Sequence, residues 1–262
     1  MDNIAIELDS LTTGYGNKII IEECSVKLNE KSITALLGAN GQGKTTLIKS
    51  ILNYLKIKKG NINVYGKNIK DYSVQDLSKI IAYVPQSNSV HHDIIARDYI
   101  VEGRTPYLGL FSAPQLEDYI IVEKYSEMLG IANILGSNIQ HLSGGQLQMV
   151  MIARALVQET PIVIMDEPMA ALDLAHQVSL MKIFNQINAL GKTILFTTHN
   201  PNHAFALKCN VWIMNDKKIV RSGKAEDALS ENVLKAIYGN NVLIIEQDGI
   251  KSCTFKSIQL TD

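Results

Sequence analysis

One eight-residue segment limits the chain to folds in which a strand, a glycine-rich turn and a helix follow one another. Residues 38–45 read Gly-Ala-Asn-Gly-Gln-Gly-Lys-Thr and fill every fixed position of the pattern GxxxxGK[ST]. The glycines let the backbone turn tightly and point successive N–H groups at an anion. Lys44 adds a positive charge that can reach the outer phosphates of a nucleotide, and Thr45 offers a hydroxyl to a Mg²⁺ ion bound to them.

The flanking segments favour a phosphate site over a flexible glycine loop that matches by chance. Residues 32–37 form an apolar run typical of a buried strand, and residues 46–52 read as the start of a helix. Because a helix N-terminus carries partial positive charge and N–H groups without intrahelical partners, it favours phosphate. We therefore expect nucleotide binding. The predicted contacts in this segment are Gly38, Ala39, Asn40, Gly41, Gln42, Gly43, Lys44, Thr45 and Thr46.

Composition allows an ordinary core and disfavours several classes of protein. The chain has 262 residues, of which 46% are hydrophobic and 19% charged, and its net charge is -1. This balance argues against the broad basic surface of a nucleic-acid-binding protein. The three cysteines lie far apart without a CxxC pair, which disfavours zinc and a disulfide framework and suits a reducing compartment. No apolar run approaches the roughly 20 residues of a membrane helix, and the N-terminus does not resemble a signal peptide.

Strand and helix patterns alternate on both sides of a middle region that is rich in helix signals. This order predicts an α/β fold: a P-loop NTPase core with a mostly parallel sheet, an antiparallel β subdomain and a helical insert. We expect a single domain with its core over residues 1–86 and 158–240, the insert over about 87–157 and a C-terminal β hairpin over about 242–258. Strands are predicted over 4–8, 19–28, 60–66, 80–84, 162–165, 193–197 and 211–214, a turn over 12–17, and helices over 74–79, 117–129, 175–190, 201–208 and 225–237.

Two carboxylates, Asp166 and Glu167, follow the apolar strand predicted at 162–165. Ligands of open α/β sheets gather at the carboxyl ends of the strands. Asp166 would hold Mg²⁺ directly or through its water shell, and Glu167 would accept a proton from the attacking water or orient it. A pair of acids entering a turn, helped by Pro168, is the alternative. Beside a phosphate loop, the catalytic interpretation is favoured.

Residues 142–146 read Leu-Ser-Gly-Gly-Gln and precede a helix predicted over 148–157. Ser143 and the two glycines could cap this helix and expose N–H groups to an anion. For an isolated segment of this kind, a plain N-cap would be the better interpretation.

The order of these motifs resembles the ATP-binding subunit of ABC transporters. Along the chain come residues 38–45, Gln86, the LSGGQ segment at 142–146, the strand that ends in two acids, and His199. The resemblance covers nearly the whole chain, and LSGGQ is its most family-specific element. It implies two ATPase subunits that pack head to tail, so that the LSGGQ of one completes the phosphate loop of the other. ATP would then join the dimer, and hydrolysis would release it.

The resemblance also implies roles for single residues. Tyr15 would stack on adenine, Gln86 would touch Mg²⁺ and the attacking water, and His199 would hold the γ-phosphate. Asp173 would lie in the loop that links the two subunits. Without the resemblance, a tyrosine or a lone histidine at a strand end is more often structural. The implied catalytic residues are Glu167, His199 and Gln86, the metal ligands are Thr45, Gln86 and Asp166, and the further nucleotide contacts are Ser143, Gly144, Gly145 and Gln146.

Two segments refine the resemblance. Met169 and Ala170 stand where a polar pair such as Thr-Ser is frequent; because the carboxylates and Asp173 are present, we expect activity to be retained. Residues 103–111, Gly-Arg-Thr-Pro-Tyr-Leu-Gly-Leu-Phe, look like a segment of the ATPases of importers for iron chelates, haem and cobalamin, with a generic Pro/Gly turn as the alternative. His91 and His92 have no third ligand close in sequence, so we expect exposed or interface histidines there.

Together these features predict the ATP-binding and hydrolysing subunit of a membrane importer for an iron chelate, haem or cobalamin. Its cofactors would be ATP and Mg²⁺. Its partners would be a second copy of the chain, a multi-span membrane permease and, indirectly, an external substrate-binding protein, without nucleic acid. It would sit peripherally on the cytoplasmic face of the membrane. The alternatives are an exporter ATPase, whose nucleotide motifs are shared, and a soluble ABC ATPase in iron–sulphur assembly or nucleic-acid handling, which the near-neutral charge disfavours.

Overall fold

The computed structural model describes residues 3–86, 93–109 and 112–256. The chain forms two compact units, one of Met1–Ile69 with Leu195–Asp262 and the other of Lys70–Ile194. Within the described ranges the strands are β1 (Ile4–Tyr15), β2 (Lys18–Asn29), β3 (Ile33–Leu37), β4 (Ile57–Val64), β5 (Lys67–Asn68), β6 (Ile81–Val84), β7 (Ile162–Met165), β8 (Thr193–Thr198), β9 (Asn210–Asn215), β10 (Lys218–Lys224), β11 (Val242–Gln247) and β12 (Ile250–Phe255).

The helices follow the predicted pattern in outline. They are α1 (Lys44–Ile51), α2 (Val74–Ser78), α3 (Ala96–Val101), α4 (Leu116–Met128), α5 (Gly144–Leu156), α6 (Leu174–Ala189), α7 (Pro201–Leu207), α8 (Ala225–Ala228) and α9 (Glu231–Tyr238). None of the helices in the described ranges is both long enough and apolar enough to cross a bilayer.

The first unit contains a four-stranded antiparallel sheet in the order β2-β1-β4-β5. The predicted turn over 12–17 is wrong in extent, because β1 continues to Tyr15 and pairs there with Lys18. Gly14 makes this possible. A Cβ at this position would lie 2.1 Å from the carbonyl oxygen of Lys18, so only glycine lets the two strands approach. The turn therefore shrinks to residues 16–17.

The same unit contains the strands that present the glycine-rich segment. β3 runs parallel to β9, β10 pairs with β9 in the antiparallel sense, and β8 neighbours β3 on the other side. All residues of β3 and β8 are buried, as expected for strands covered on both faces. β3 ends at Leu37, and the glycine-rich segment leads from there into α1.

The C-terminal part of the first unit is a pair of short helices followed by a hairpin. β11 and β12 pair in register, with the turn at Asp248 and Gly249 that the sequence pattern indicates. The single helix predicted over 225–237 is wrong, because Leu229 and Ser230 leave the helical conformation between α8 and α9. Leu229 is buried at this break, and Ser230 is the N-cap from which α9 starts.

In the second unit β6 and β7 form a parallel pair, and α5 packs against α3 and α4. A turn of 3₁₀ helix, Glu102–Tyr107, ties these helices together. Arg104 is largely buried, and its Nε donates to Oδ1 of Asp118 at 2.9 Å while Nη1 donates to the carbonyl oxygen of Val157 at 2.8 Å. Its guanidinium also lies 4.4 Å from the ring centre of Tyr107. Within the described residues, these contacts hold Arg104 in place, and all of them lie within the second unit.

Gly103 of this turn packs closely on α5. An added Cβ would lie 2.1 Å from the carbonyl oxygen of Arg154 and 2.6 Å from Cγ2 of Val157. We expect Gly103→Ala to lower the free energy of unfolding by about 1–3 kcal/mol, because overpacking forces the backbone to shift. Urea unfolding of the full chain measures the change. Gly136→Ala is the control, since no described atom lies within 4 Å of its added Cβ. Equal losses in the two variants would contradict the close packing.

Candidate nucleotide-binding site

The glycine-rich segment forms a tight loop between β3 and α1. Gly41 and Gly43 have φ angles of 81° and 105°, in the left-handed region that glycine enters without steric cost. Gly43 is the N-cap of α1, and the first turn of this helix contains no acidic residue. The N–H groups at the start of α1 therefore face no carboxylate from their own turn, as an anion site requires.

Two glycines let neighbouring strands hold this loop. A Cβ on Gly38 would lie 2.6 Å from the carbonyl oxygen of Met214 in β9, and one on Gly43 would lie 2.8 Å from Cγ2 of Ile20 in β2. A larger residue at either position would push the loop away from these strands. The pattern needs glycine here for close approach as well as for turning.

The polar side chains of the loop differ in their burial and in their contacts. The backbone N–H of Asp216, in the turn after β9, donates to Oε1 of Gln42 at 2.9 Å. Asn40 is exposed, Thr45 is half-buried, and Thr46 is buried in the first turn of α1. Gln42 thus anchors the loop to its own unit, a role that the motif alone does not indicate.

Lys44 lies within the loop. Its side chain is buried, with Nζ donating to the carbonyl oxygens of Gly38 at 2.9 Å and Ala39 at 3.2 Å. Both of these acceptors are neutral carbonyl oxygens of the loop itself. A triphosphate in the loop would meet a positive charge already held at its centre.

Two further predicted residues belong to the same unit. Tyr15 ends β1 with 47% of its surface exposed, so its ring is available for stacking. The adjacent turn is fixed by Nζ of Lys58, which donates to the carbonyl oxygen of Gly16 at 2.7 Å. His199 is exposed directly after β8, and its carbonyl oxygen accepts a hydrogen bond from the hydroxyl of Tyr238 at 2.8 Å.

The predicted acids and Gln86 belong to the second unit. Val84 pairs with Met165, so β6 and β7 end at the same edge of their pair. Gln86 is exposed two residues after β6, whereas Asp166 follows β7 with no exposed surface and donates its N–H to the carbonyl oxygen of Val84 at 2.9 Å. Gln86, Asp166 and Glu167 therefore all follow the carboxyl ends of two neighbouring parallel strands, which lie at the same edge of the sheet.

Glu167 occupies an uncommon backbone conformation. Its φ is 47°, in the left-handed region that few non-glycine residues adopt. Its carbonyl oxygen accepts from the N–H of Ala170 at 3.1 Å, which closes a turn after the strand. Residues held in such conformations concentrate at functional sites.

The loop after Glu167 is ordered without the usual polar pair. Met169 is buried, and Nε2 of Gln177 donates to the carbonyl oxygens of Met169 at 3.3 Å and Leu172 at 3.0 Å. Asp173 is the N-cap of α6 and accepts from the N–H of His176 at 2.9 Å. This hydrogen bond and a second one from the His176 ring lower the pKa of Asp173. Sequence reasoning missed Gln177, because its role appears only when α6 is folded.

The LSGGQ segment starts a helix. α5 begins at Gly144, so the start predicted at residue 148 is wrong by four residues. Ser143 accepts from the N–H of Gln146 at 3.2 Å, and Oε1 of Gln146 accepts from the N–H of Ser143 at 3.0 Å. This reciprocal pair is a capping box. Ser143 and Gly144 are exposed and the first turn contains no acidic residue, so the positive end of a 13-residue helix lies open.

The predicted site residues are thus divided between the two units. The first contains Tyr15, residues 38–46 and His199, and the second contains Gln86, residues 142–146, Asp166 and Glu167. His91, His92, Leu110 and Phe111 lie outside the described residues. In the part of the chain that the structure describes, no three His, Cys, Asp or Glu side chains form a cluster suited to a metal ion.

Comparison with known proteins establishes the family. Residues 21–170, more than half of the chain, match the family described as ABC transporter. The chain is 31% identical over 242 residues to an uncharacterised ABC transporter ATP-binding protein of Haemophilus influenzae, covering 92% of each chain. It is 31% identical to the iron(3+)-hydroxamate import ATP-binding protein of Bacillus subtilis, covering 89% of this chain and 87% of that protein.

A solved structure agrees with these relatives. It shows, in an inward-facing conformation, an ABC transporter described as of metal-chelate type; the match has a TM-score of 0.84 and 26% identity and covers 98% of both chains. This chain therefore belongs to the ABC transporter family, as one of its ATP-binding ATPases. Such import ATPases work with a membrane component, and pairs of ATPase domains are general in the family.

His203, which sequence analysis did not single out, makes the stability of this region depend on pH. Burial lowers the pKa of His203 to about 4, with a smaller contribution from the charge of His199, and Nδ1 lies 2.9 Å from Oγ1 of Thr198. In the unfolded chain the imidazole of His203 is protonated as the pH falls below about 6.5. In the folded chain it is protonated only near pH 4. We expect the free energy of unfolding to fall by about 2–3 kcal/mol as the pH decreases through this window.

Chemical unfolding of the full chain at a series of pH values between 7 and 4 measures this effect. His203→Gln should remove most of the dependence in this window, because the residue no longer titrates. His141→Gln, at an exposed histidine, is the control and should leave it intact. Identical pH profiles for the parent and His203→Gln would show that another group is responsible.

Proposed function

We propose that this chain is the ATP-hydrolysing subunit that energises a membrane importer for an iron chelate, with haem and cobalamin as related cargoes. The observation that carries the ATPase part is the loop at the start of α1, with the ammonium of Lys44 held among its carbonyl oxygens. The cargo class is supported by the hydroxamate-importing relative, the metal-chelate type structure and the segment over residues 103–109.

In this proposal the first unit holds the base and the phosphates. The exposed ring of Tyr15 stacks on adenine, and the backbone N–H groups over residues 38–46 surround the β-phosphate. Lys44 exchanges its carbonyl acceptors for phosphate oxygens, which are stronger partners because they are charged. His199 donates to the γ-phosphate.

Thr45, Gln86 and Asp166 are proposed as the residues that hold Mg²⁺. A hydroxyl, an amide oxygen and a fully buried carboxylate are the hard oxygen donors that this ion prefers, so the chemistry of the set fits. When bound, Mg²⁺ would neutralise charge on the phosphate oxygens. Asp166 contributes a fixed negative charge at the end of β7, and Gln86 presents its amide beside the attacking water.

Glu167 is the proposed general base. It accepts the proton of the water that attacks the γ-phosphate, and its left-handed backbone fixes where the carboxylate is presented. The open N-terminus of α5 supplies the remaining donors, from Ser143 through Gln146, to a nucleotide held by a second copy of the chain. ATP then stabilises a head-to-tail homodimer.

The proposed partners follow from this role. The homodimer binds a multi-span permease from the cytoplasmic face of the membrane, as a peripheral subunit, and an external binding protein delivers cargo to that permease. An exporter ATPase would share the nucleotide chemistry. The segment over residues 103–109 and the relatives named above favour import.

Glu167→Gln tests the catalytic assignment. Removing the base should lower Mg-dependent ATP hydrolysis by about 10²–10⁴-fold, while ATP binding persists and dimers accumulate, because nucleotide is bound but not consumed. Phosphate release measures the rate, and light scattering with ATP measures the dimer. Glu123→Gln, an exposed acid of α4, is the control and should behave as the parent. Full turnover by Glu167→Gln would exclude the proposed base.

The same variant tests the importer assignment in cells. A tagged chain isolated from membranes should carry a multi-span protein with it, and iron-chelate uptake should be lost with Glu167→Gln but not with Glu123→Gln. Unchanged uptake together with lost hydrolysis would assign the ATPase to another process.

A further inference from the structure

We infer that Tyr238 is a positioning residue for His199, and that it acts as part of a C-terminal arm formed by α9, β11 and β12, residues 231–255. The inference rests on the proposed function, which assigns His199 to the γ-phosphate. It adds a region that lies outside the part of the chain matched to the family, residues 21–170.

The first observation is a direct contact with the main chain of His199. Tyr238 is the last residue of α9, and its hydroxyl donates to the carbonyl oxygen of His199 at 2.8 Å. The bond fixes the peptide group that follows the histidine and leaves the imidazole, which the proposed function requires, outside the contact. The phenol therefore restrains the histidine through its main chain.

The second observation is that the same arm holds the helix that follows His199. Asn202, in the first turn of α7, pairs with the backbone of Cys253 in β12 in both directions. Its Nδ2 donates to the carbonyl oxygen of Cys253 at 3.1 Å, and the N–H of Cys253 donates to Oδ1 at 2.7 Å. Two opposed hydrogen bonds fix the orientation of the amide, so the hairpin and α7 are joined at a defined register.

The third observation is a second anchor on the core side of the same turn. Oγ1 of Thr198 accepts from the N–H of Asn200 at 3.0 Å and lies 2.9 Å from Nδ1 of the buried His203. The turn after β8 is therefore held by the core on one side and by Tyr238 on the other. His199 is the exposed residue between these two anchors.

The arm holds Tyr238 in place by its own packing. α9 lies against β11, and β12 lies against α7. β11 and β12 are joined in register, with Ile244 opposite Cys253. The hydroxyl of Tyr238 and the amide partner of Asn202 thus belong to one connected element.

This arrangement has a kinetic consequence. Losing one anchor would spread the histidine over more positions, and a misplaced group costs rate in the transition state more than it costs ground-state binding. In the proposed function ATP is held mainly by the loop around Lys44, whereas the contacts of the arm described above are to His199 and α7. The effect should therefore appear in kcat and not in KM.

Tyr238→Phe removes only the hydroxyl. In the purified full chain we expect kcat for Mg-ATP hydrolysis to fall about three- to tenfold, the range expected for one neutral hydrogen bond, with KM for ATP within about twofold of the parent. The midpoint of thermal unfolding should stay close to that of the parent. Asn202→Ala should shift kcat in the same direction. Tyr54→Phe, the same change at an exposed tyrosine of the same unit, is the control and should leave all three quantities unchanged.

Two results would overturn the inference. One is a kcat for Tyr238→Phe within about twofold of the parent; the other is a joint change of kcat, KM and thermal midpoint, which a merely structural hydroxyl would produce. His199→Ala, measured in the same series, separates this inference from the proposed function. If His199→Ala keeps full turnover, the proposed role of His199 fails. If it loses turnover while Tyr238→Phe retains it, the inference about the arm fails alone.

Discussion

The interaction on which the rest of the site depends is the close approach of a glycine-rich backbone to the strands beside it. Gly38 lies so near the carbonyl oxygen of Met214 that no side chain fits between them, and Gly43 meets Ile20 in the same way. This contact fixes where α1 begins, and the first turn of that helix contains no acidic residue. The ammonium of Lys44 donates to the carbonyl oxygens of Gly38 and Ala39 inside this loop, where the oxygens of a bound phosphate could reach it.

Most of the other candidate residues share a structural logic: they lie at or just beyond the end of a strand, or at the open start of a helix. Asp166 and Gln86 come after a parallel pair, His199 comes after a buried strand, and Ser143 caps a helix whose first turn has no acid. Strand ends are where side chains leave the core without losing the support of the sheet. The candidate side chains are therefore positioned by strands and helices, and not by long loops.

The sequence predicted features whose cause is local. The phosphate loop needs particular residue types at fixed spacing, and buried strands need continuous apolar runs. β10 escaped prediction because its residues are mostly exposed and form no apolar run. The start of α5 at Gly144 could have been predicted from Ser143 and Gln146, because this spacing is the sequence pattern of a capping box. The contact of Tyr238 with His199 could not be predicted from the sequence, because only tertiary packing brings together these residues, which are 39 positions apart.

Isothermal titration of the purified full chain with Mg-ATP and with AMP tests the central claim most directly, because the two nucleotides share a base and a sugar and differ in the β- and γ-phosphates. If the loop and Lys44 provide the main grip, ATP should bind at least about 100-fold more tightly than AMP, and Lys44→Ala should remove most of that difference. Equal affinities for ATP and AMP, or a difference that survives Lys44→Ala, would contradict the account.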